Sequence, residues 1–331
     1  MALPNAMPFV IGGMLAGASP VTVTLLAIWA LAFYSYSCKV NDLADFKTDI
    51  LNTTGRTKSP LLRGELSPLR VGYWAAIELL ILAFTLGLSQ FSAPSKAVGL
   101  GLLALTTYGN AFQKTSRRVS PLVMDYLFGV VMAGPILVVA WGLGASVPWT
   151  AWLLSASFMF QMVVLNSYSG NLKDLDHDYA VGARTTAIRL GARRIGPSLW
   201  SYPLSYRFFL LIAQLCSSAL LCASIMIDME PTLLLVMGIL AAGCAAAALF
   251  ALRGRLSRDR SGQLRQEFSP AQSRELTQYM SRPPHLVLNA LGFLLAAGYI
   301  LQAPWLPIIA TLSLAIPATV LKIIRRLRSA V

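Results

Sequence analysis

Charge is what this sequence has least of. Only 12% of its 331 residues are Asp, Glu, Lys or Arg, while 56% are hydrophobic. With a mean hydropathy of +0.63, the chain has too little polar material to cover an ordinary soluble domain, and it reads as a polytopic membrane protein. Cysteine is scarce too. Cys38, Cys216, Cys222 and Cys244 fall in or beside apolar segments with no C-x-x-C spacing, which argues against metal ligation and disulfides and leaves buried thiols as the expectation. The opening stretch, "MALPNAMPFVIGGMLAG", has neither a basic region nor a polar lead-in. No cleavable signal or transit peptide is expected there, and the first apolar run should be retained.

What the sequence does have is apolar windows, and a helix needs roughly 17 to 25 such residues to cross a bilayer core of about 30 Å. Candidate spans are 4 to 17 (short), 20 to 38, 70 to 90, 97 to 113, 121 to 142, 149 to 170, 204 to 227, 231 to 252, 285 to 302 and 304 to 322. The expected fold class is therefore all-α, a polytopic transmembrane helical bundle of nine to ten helices around a central cavity.

The formal charge of +13 raises nucleic acid as a partner, but the placement of the charges excludes it. All of the 27 Lys and Arg residues except Lys96 lie in or beside 39 to 70, 114 to 118, 173 to 207, 253 to 282 and 322 to 328. These are alternate connections plus the C-terminus, the asymmetry that the positive-inside rule produces when all of them face the cytoplasm. The basic loop around 253 to 282 and the basic tail require two crossings between them. Ten helices with both termini inside follow from that count.

Six of the 14 acidic residues sit in two short stretches, "NDLADFKTD" and "NLKDLDHD". Each follows an even-numbered span, and four spans separate them. This spacing suggests two four-helix halves, about 4 to 118 and about 119 to 252, followed by C-terminal helices at about 285 to 324, all in one domain over residues 1–331. Both acidic stretches would then overhang one cavity.

On a helix, Asp42, Asp45 and Asp49 are spaced i, i+3 and i+7 and share a face with Asn41 beside them, and Asp174 and Asp178 share a face while Asp176 points away. Carboxylates so arranged repel one another unless a cation intervenes. Mg2+ suits them, since it binds through one or two carboxylates, water and the phosphate oxygens of a substrate. Taken singly, each cluster is equally a solvated face salt-bridged to Lys47, Arg56, Lys173 or Arg184; two clusters matched in position favour a shared site. Basic residues follow each, in "TTGRTKSPLLRGELS" and "YAVGARTTAIRLGARR". Cations beside a magnesium site make chemical sense for a diphosphate, whose charge grows as it departs. Arg189, Arg193, Arg194 and the arginines of 253 to 282 instead mark the cytoplasmic side.

These residues resemble the UbiA-type intramembrane prenyltransferase family. "NDLADFKTD" is similar to its NDxxDxxxD pattern and "DLDHD" to its DxxxD pattern. "GARTTAIRLG" resembles the Gly- and Thr-rich stretch that follows, and "YGNAFQK" keeps the Tyr and Lys of the intervening loop motif. "SPLLRG" resembles the RPLxxG segment with Ser59 in place of its Arg, a charge that Lys58 or Arg63 would have to supply. Family members typically have nine helices, one fewer than the charge pattern suggests.

The resemblance implies transfer of an isoprenyl group from its diphosphate to an acceptor, most often a small aromatic compound, in quinone or meroterpenoid-type biosynthesis. It implies Asp42, Asp45, Asp49, Asp174 and Asp178 as ligands of Mg2+, and Asn41, Arg56, Lys58, Lys114, Lys173 and Arg184 as contacts of the diphosphate. It assigns Tyr108 to stabilising the allylic cation or orienting the acceptor; at a membrane interface Tyr108 is equally an anchor. Asn110, Gln161 and Asn166 either line the cavity or make interhelical hydrogen bonds, and Glu78 and Asp125 pose the same choice. A terpene cyclase of the same family would ionise the diphosphate with the same carboxylates, and a transporter with an acidic gate would leave the Tyr108 and "SPLLRG" matches unexplained. The expected location is a bacterial cytoplasmic membrane, with the site facing the cytoplasm.

Overall fold

A computed structural model describes residues 2–50, 60–112, 119–144, 146–196, 199–226, 255–258 and 264–267. The first helices are α1 (Ala2–Leu15), α2 (Pro20–Asp49), α3 (Pro68–Leu88) and α4 (Ala93–Phe112). Next come α5 (Pro121–Ala133), α6 (Pro135–Leu143) and α7 (Trp149–Val164), the last running into a π-turn at Leu165–Gly170. Three short helices follow, α8 (Asn171–Lys173), α9 (Leu175–Ala180) and α10 (Thr186–Arg189), before the long α11 (Leu204–Met226). These elements coincide with the first seven expected spans. The expected spans 231 to 252, 285 to 302 and 304 to 322 lie outside the described residues.

Five stretches, Pro20–Lys47, Pro68–Leu88, Pro121–Leu143, Trp149–Ser167 and Leu204–Leu221, are long and apolar enough to cross a membrane. Their ends follow from local chemistry. Ser67 caps α3 by accepting from the Arg70 N–H, with Pro68 in the first turn, where its missing N–H costs nothing. The fifth span breaks between α5 and α6 because Pro135 lacks an N–H and its ring crowds the preceding turn.

The bundle is apolar outside as well as inside. Leu25, Ile28, Leu80, Phe84, Leu88, Phe208 and Ile212 are all exposed, as lipid-facing positions require. Inside, Phe9, Phe33, Tyr36, Leu82, Leu103, Val131 and Val139 join α1 to α6 in one core. Ile11, Met132, Ile136, Leu154, Phe158 and Leu221 join α1, α5, α6, α7 and α11 in another. Since lipid tails are as apolar as Leu, helices pair through close packing rather than hydrophobic exclusion. Gly12 and Gly129 show this: a Cβ on Gly12 would lie 2.7 Å from the Ile136 carbonyl oxygen, and one on Gly129 2.7 Å from that of Met159.

One feature was not expected from the sequence. The described residues include four short strands, β1 (Arg193–Gly196), β2 (Leu199–Pro203), β3 (Arg255–Arg258) and β4 (Leu264–Glu267), forming an antiparallel sheet in the order β1-β2-β4-β3. It folds together two of the basic connections, and Pro203 of β2 passes directly into α11. The bundle remains all-helical in its membrane-spanning part. The thiols also differ in part from expectation, since Cys38 on α2 is exposed.

Candidate active site

The first acidic motif is carried by a helix too long for a membrane. The 30 residues of α2 extend about 45 Å at 1.5 Å per residue, roughly one and a half times the hydrocarbon core. The surplus holds Asn41, Asp42, Asp45 and Asp49 in helical register beyond the apolar stretch. Asp45 is buried, and Asn41, Asp42 and Asp49 are half-buried. The Asn41 amide reaches toward Asp45 Oδ2 at 3.5 Å, so these two lie along one side of the helix.

The second motif is built differently. The π-turn ends α7, Asp174 separates α8 from α9, and the Asp178 N–H donates to the Asp174 carbonyl at 2.8 Å in a single helical turn. Asp178 is 1% exposed, Asp174 is half-buried and Asp176 faces outward, the division expected from helical spacing. Leu172 and Leu175 anchor this segment in a small core with Ala187, Tyr206 and Leu210. The adjacent Gly- and Thr-rich stretch packs beneath it, with Thr185 capping α10.

The two motifs meet. His177 Nε2 lies 3.6 Å from Asp49 Oδ1, so α9 touches the end of α2 although more than a hundred residues separate them. His177 was not singled out from the sequence. Its signals were its place inside "DLDHD" and its being one of only two histidines in the chain.

Of the expected cations, Arg184 is described and half-buried. Arg56, Lys58 and Lys114 lie outside the described residues, as does the side chain of Lys173. Arg63 is described: its Nε and a second guanidinium nitrogen donate to Glu65 at 2.5 and 2.8 Å. That fork holds the Glu65 carboxyl below its ordinary range. Tyr108, 40% exposed, rests its ring on Phe112 at 5.1 Å near the end of α4.

The polar residues within the spans prove to be interhelical. Asn110 donates to Ser37 Oγ at 2.9 Å, Ser217 Oγ approaches Gln161 Oε1 at 3.4 Å, and Asn166 donates to Asp125 Oδ1 at 2.7 Å. Glu78 accepts from Lys39 at 2.7 Å and from Ser35 at 3.0 Å. A cavity of about 580 Å³ lies between α2, α3, α4 and α6, among Leu25, Trp29, Phe33, Leu82, Phe91 and Val139. It occupies the end of the bundle opposite the motifs, so it is not where the carboxylates would work.

The donor set can be tested against a metal ion. The motif side chains offer carboxylate oxygens and no thiolate, which suits a hard divalent cation. Among the described residues no three His, Cys, Asp or Glu side chains converge closely enough to hold an ion by themselves. The fit is therefore to a cation that keeps water and takes its remaining oxygens from a phosphorylated substrate.

The chain and its fold are similar to known proteins. The model of the UbiA prenyltransferase family matches residues 5–266. The structure is similar to that of a UbiA homologue from Aeropyrum pernix in its apo form, at a TM-score of 0.62 and 17% identity over 90% of this chain and 97% of the other. It is also similar to a digeranylgeranylglyceryl phosphate synthase (TM-score 0.60, 13% identity, covering 89% of this chain and 94% of that one). A UbiA homologue from Archaeoglobus fulgidus bound to DMAPP and Mg2+ matches at a TM-score of 0.57 and 16% identity, over 91% and 95% of the two chains. No curated protein sequence matches the chain.

Proposed function

Because the chain belongs to the UbiA prenyltransferase family, we propose that its two acidic motifs form one Mg2+-diphosphate site from which an isoprenyl group passes to a small, electron-rich, aromatic acceptor. The observation that carries the reading is the approach of His177 to Asp49, which supports a shared site because it brings the two motifs together. Homology of fold supports it, since the Archaeoglobus fulgidus homologue binds DMAPP and Mg2+.

When bound, Mg2+ would neutralise diphosphate charge and so favour departure of the leaving group. Asp42, Asp45, Asp49, Asp174 and Asp178 would hold the ion, as carboxylates on two facing elements. Asn41 and Arg184, with Arg56, Lys58, Lys114 and Lys173, would hold the diphosphate oxygens. The bond from the allylic carbon to oxygen breaks with its electron pair going to diphosphate; the acceptor carbon then supplies a pair to the allylic carbon and loses a proton. Tyr108, with an electron-rich ring near the end of α4, would stabilise the positive allyl group. The charge asymmetry favours a cytoplasmic-facing site in a bacterial inner membrane, and an aromatic acceptor would place the product in quinone or meroterpenoid-type biosynthesis.

The test is incubation of the purified protein with Mg2+, prenyl diphosphates of several lengths and a panel of acceptors, read by product mass. Aromatic acids and phenols form one arm and glyceryl phosphates another. A product equal in mass to acceptor plus prenyl group, less a proton, in the aromatic arm is expected. Product in the glyceryl phosphate arm alone overturns the aromatic assignment, and a cyclic hydrocarbon formed without acceptor overturns transfer.

A further inference from the structure

Asp125 belongs to neither acidic motif, yet it is only 2% exposed and lies about one turn inside the start of α5. A carboxylate buried this deeply is costly unless its oxygens are engaged. Here they are: Oδ1 accepts from Asn166 Nδ2 at 2.7 Å, and Oδ2 accepts from the Ser167 hydroxyl. Both donors belong to the π-turn. Thr186 of α10 and Asn171 of α8 face the same carboxylate, and their amide and hydroxyl groups are themselves buried without a well-aligned partner. Tyr206 of α11 closes the ring by donating to the Ser167 carbonyl at 2.6 Å. One side chain thus ties α5 to the π-turn, and through Ser167 it reaches α11.

The π-turn is the element that most needs such a hold. Wide i→i+5 turns are rare, occur as single insertions in α-helices and concentrate at functional sites. This one immediately precedes the segment that carries Asp174 and Asp178, and relaxing it to α-helical register would rotate everything downstream by about 100° for each residue shifted. We propose that Asp125 is a positioning residue for the diphosphate site: by fixing Asn166 and Ser167 it locks the π-turn and so aims Asp174 and Asp178 at the substrate. The inference rests on the reading of the two motifs as an Mg2+-diphosphate site.

The full-length protein in detergent or nanodiscs is titrated with Mg2+ and inorganic pyrophosphate, and the rise in thermal midpoint is followed to half-saturation. The wild type shows a saturable rise. In Asp125→Asn the half-saturating concentration increases about tenfold or more, the scale seen when partners behind metal ligands are removed. Ser167→Ala moves it less in the same direction, and the double variant is no worse than Asp125→Asn alone because both changes release the same turn. A variant whose ligand-free midpoint falls while its half-saturating concentration stays at the wild-type value overturns the positioning role. If Asp125→Asn does not fold, Ser167→Ala decides by the same criterion. A wild type that shows no rise overturns the acidic-site reading and this inference with it, whereas a wild-type rise retained in Asp125→Asn overturns this inference alone.

Discussion

At the scale of single residues, the argument turns on carboxylates whose neighbours differ. Asp42 and Asp174 stand on separate elements, and in the proposed site removing either leaves half of it. Asp42→Ala and Asp174→Ala are each expected to cut diphosphate release at least about a hundredfold, the loss of several kcal/mol of charge stabilisation, while the protein still inserts. Retained turnover in both would defeat the assignment of the motifs. Glu78 marks a different use of charge, since its pairing with Lys39 at 2.7 Å ties α3 to α2 within the apolar zone. Glu78→Gln leaves Lys39 without its counter-charge and is expected to lower stability by about 2 kcal/mol, the scale of a hydrogen bond to a charged group. Lys39→Met combined with Glu78→Leu should recover much of that loss in a thermal denaturation series. The Arg63–Glu65 fork is exposed on both sides. Its carboxyl is held low by Arg63, so whatever stability it gives is present at neutral pH and is lost as pH falls through the lowered value. Solvent screening makes that contribution small, and Glu65→Gln should leave the midpoint at pH 7 unchanged.

At the scale of elements, the sequence was legible where hydrophobic run length decides the outcome. The span expected at 20 to 38 is the apolar part of α2, and helical continuation through Asp49 gave the expected common face. The span expected at 121 to 142 is covered by α5 and α6, with a break that Pro135 explains. What could not be read depended on partners distant in the chain. Asn166 looks the same in sequence whether it lines a cavity or bonds to another helix, and only the packing of α5 against α7 shows that it meets Asp125. The four-stranded sheet was hidden because its strands are only four or five residues long and lie in basic connections, where charge placement spoke only for topology. The π-turn leaves no periodic signature within six residues. Deleting one residue from Leu165–Gly170 should preserve insertion and helix content while abolishing turnover, because Asp174 and Asp178 rotate by about 100°; a deletion variant of normal activity would contradict the role given to the turn. Gly129→Leu should push α5 from α7, since even a Cβ would lie 2.7 Å from the Met159 carbonyl, and overpacking of this kind costs about 1 to 3 kcal/mol. A denaturation midpoint equal to wild type would count against that helix contact.

At the scale of the whole molecule, a chain of low charge organises its few ionic groups by side. Nearly all Lys and Arg residues fall on one set of alternate connections and the C-terminus, a set that includes both acidic motifs, and Lys96 stands alone on the others. That asymmetry predicts that single cysteines placed at Ser92 and at Arg56 in a cysteine-free background label from opposite sides of the membrane, with Arg56→Cys reacting only from the cytoplasm; labelling of both from the same side would remove the orientation proposed. The approach of His177 to Asp49 brings both acidic motifs to one end of the bundle, where in the proposed site they form facing walls. The central claim is that these walls ionise a prenyl diphosphate together, and the most direct test is diphosphate release measured on purified wild type, Asp42→Ala and Asp174→Ala with prenyl diphosphate and an aromatic acceptor, with and without Mg2+. The account predicts release coupled to prenylated acceptor in the wild type, and loss of both in either variant or on removal of Mg2+. Release that persists unchanged in both variants, or that proceeds at the same rate without the metal, would contradict it.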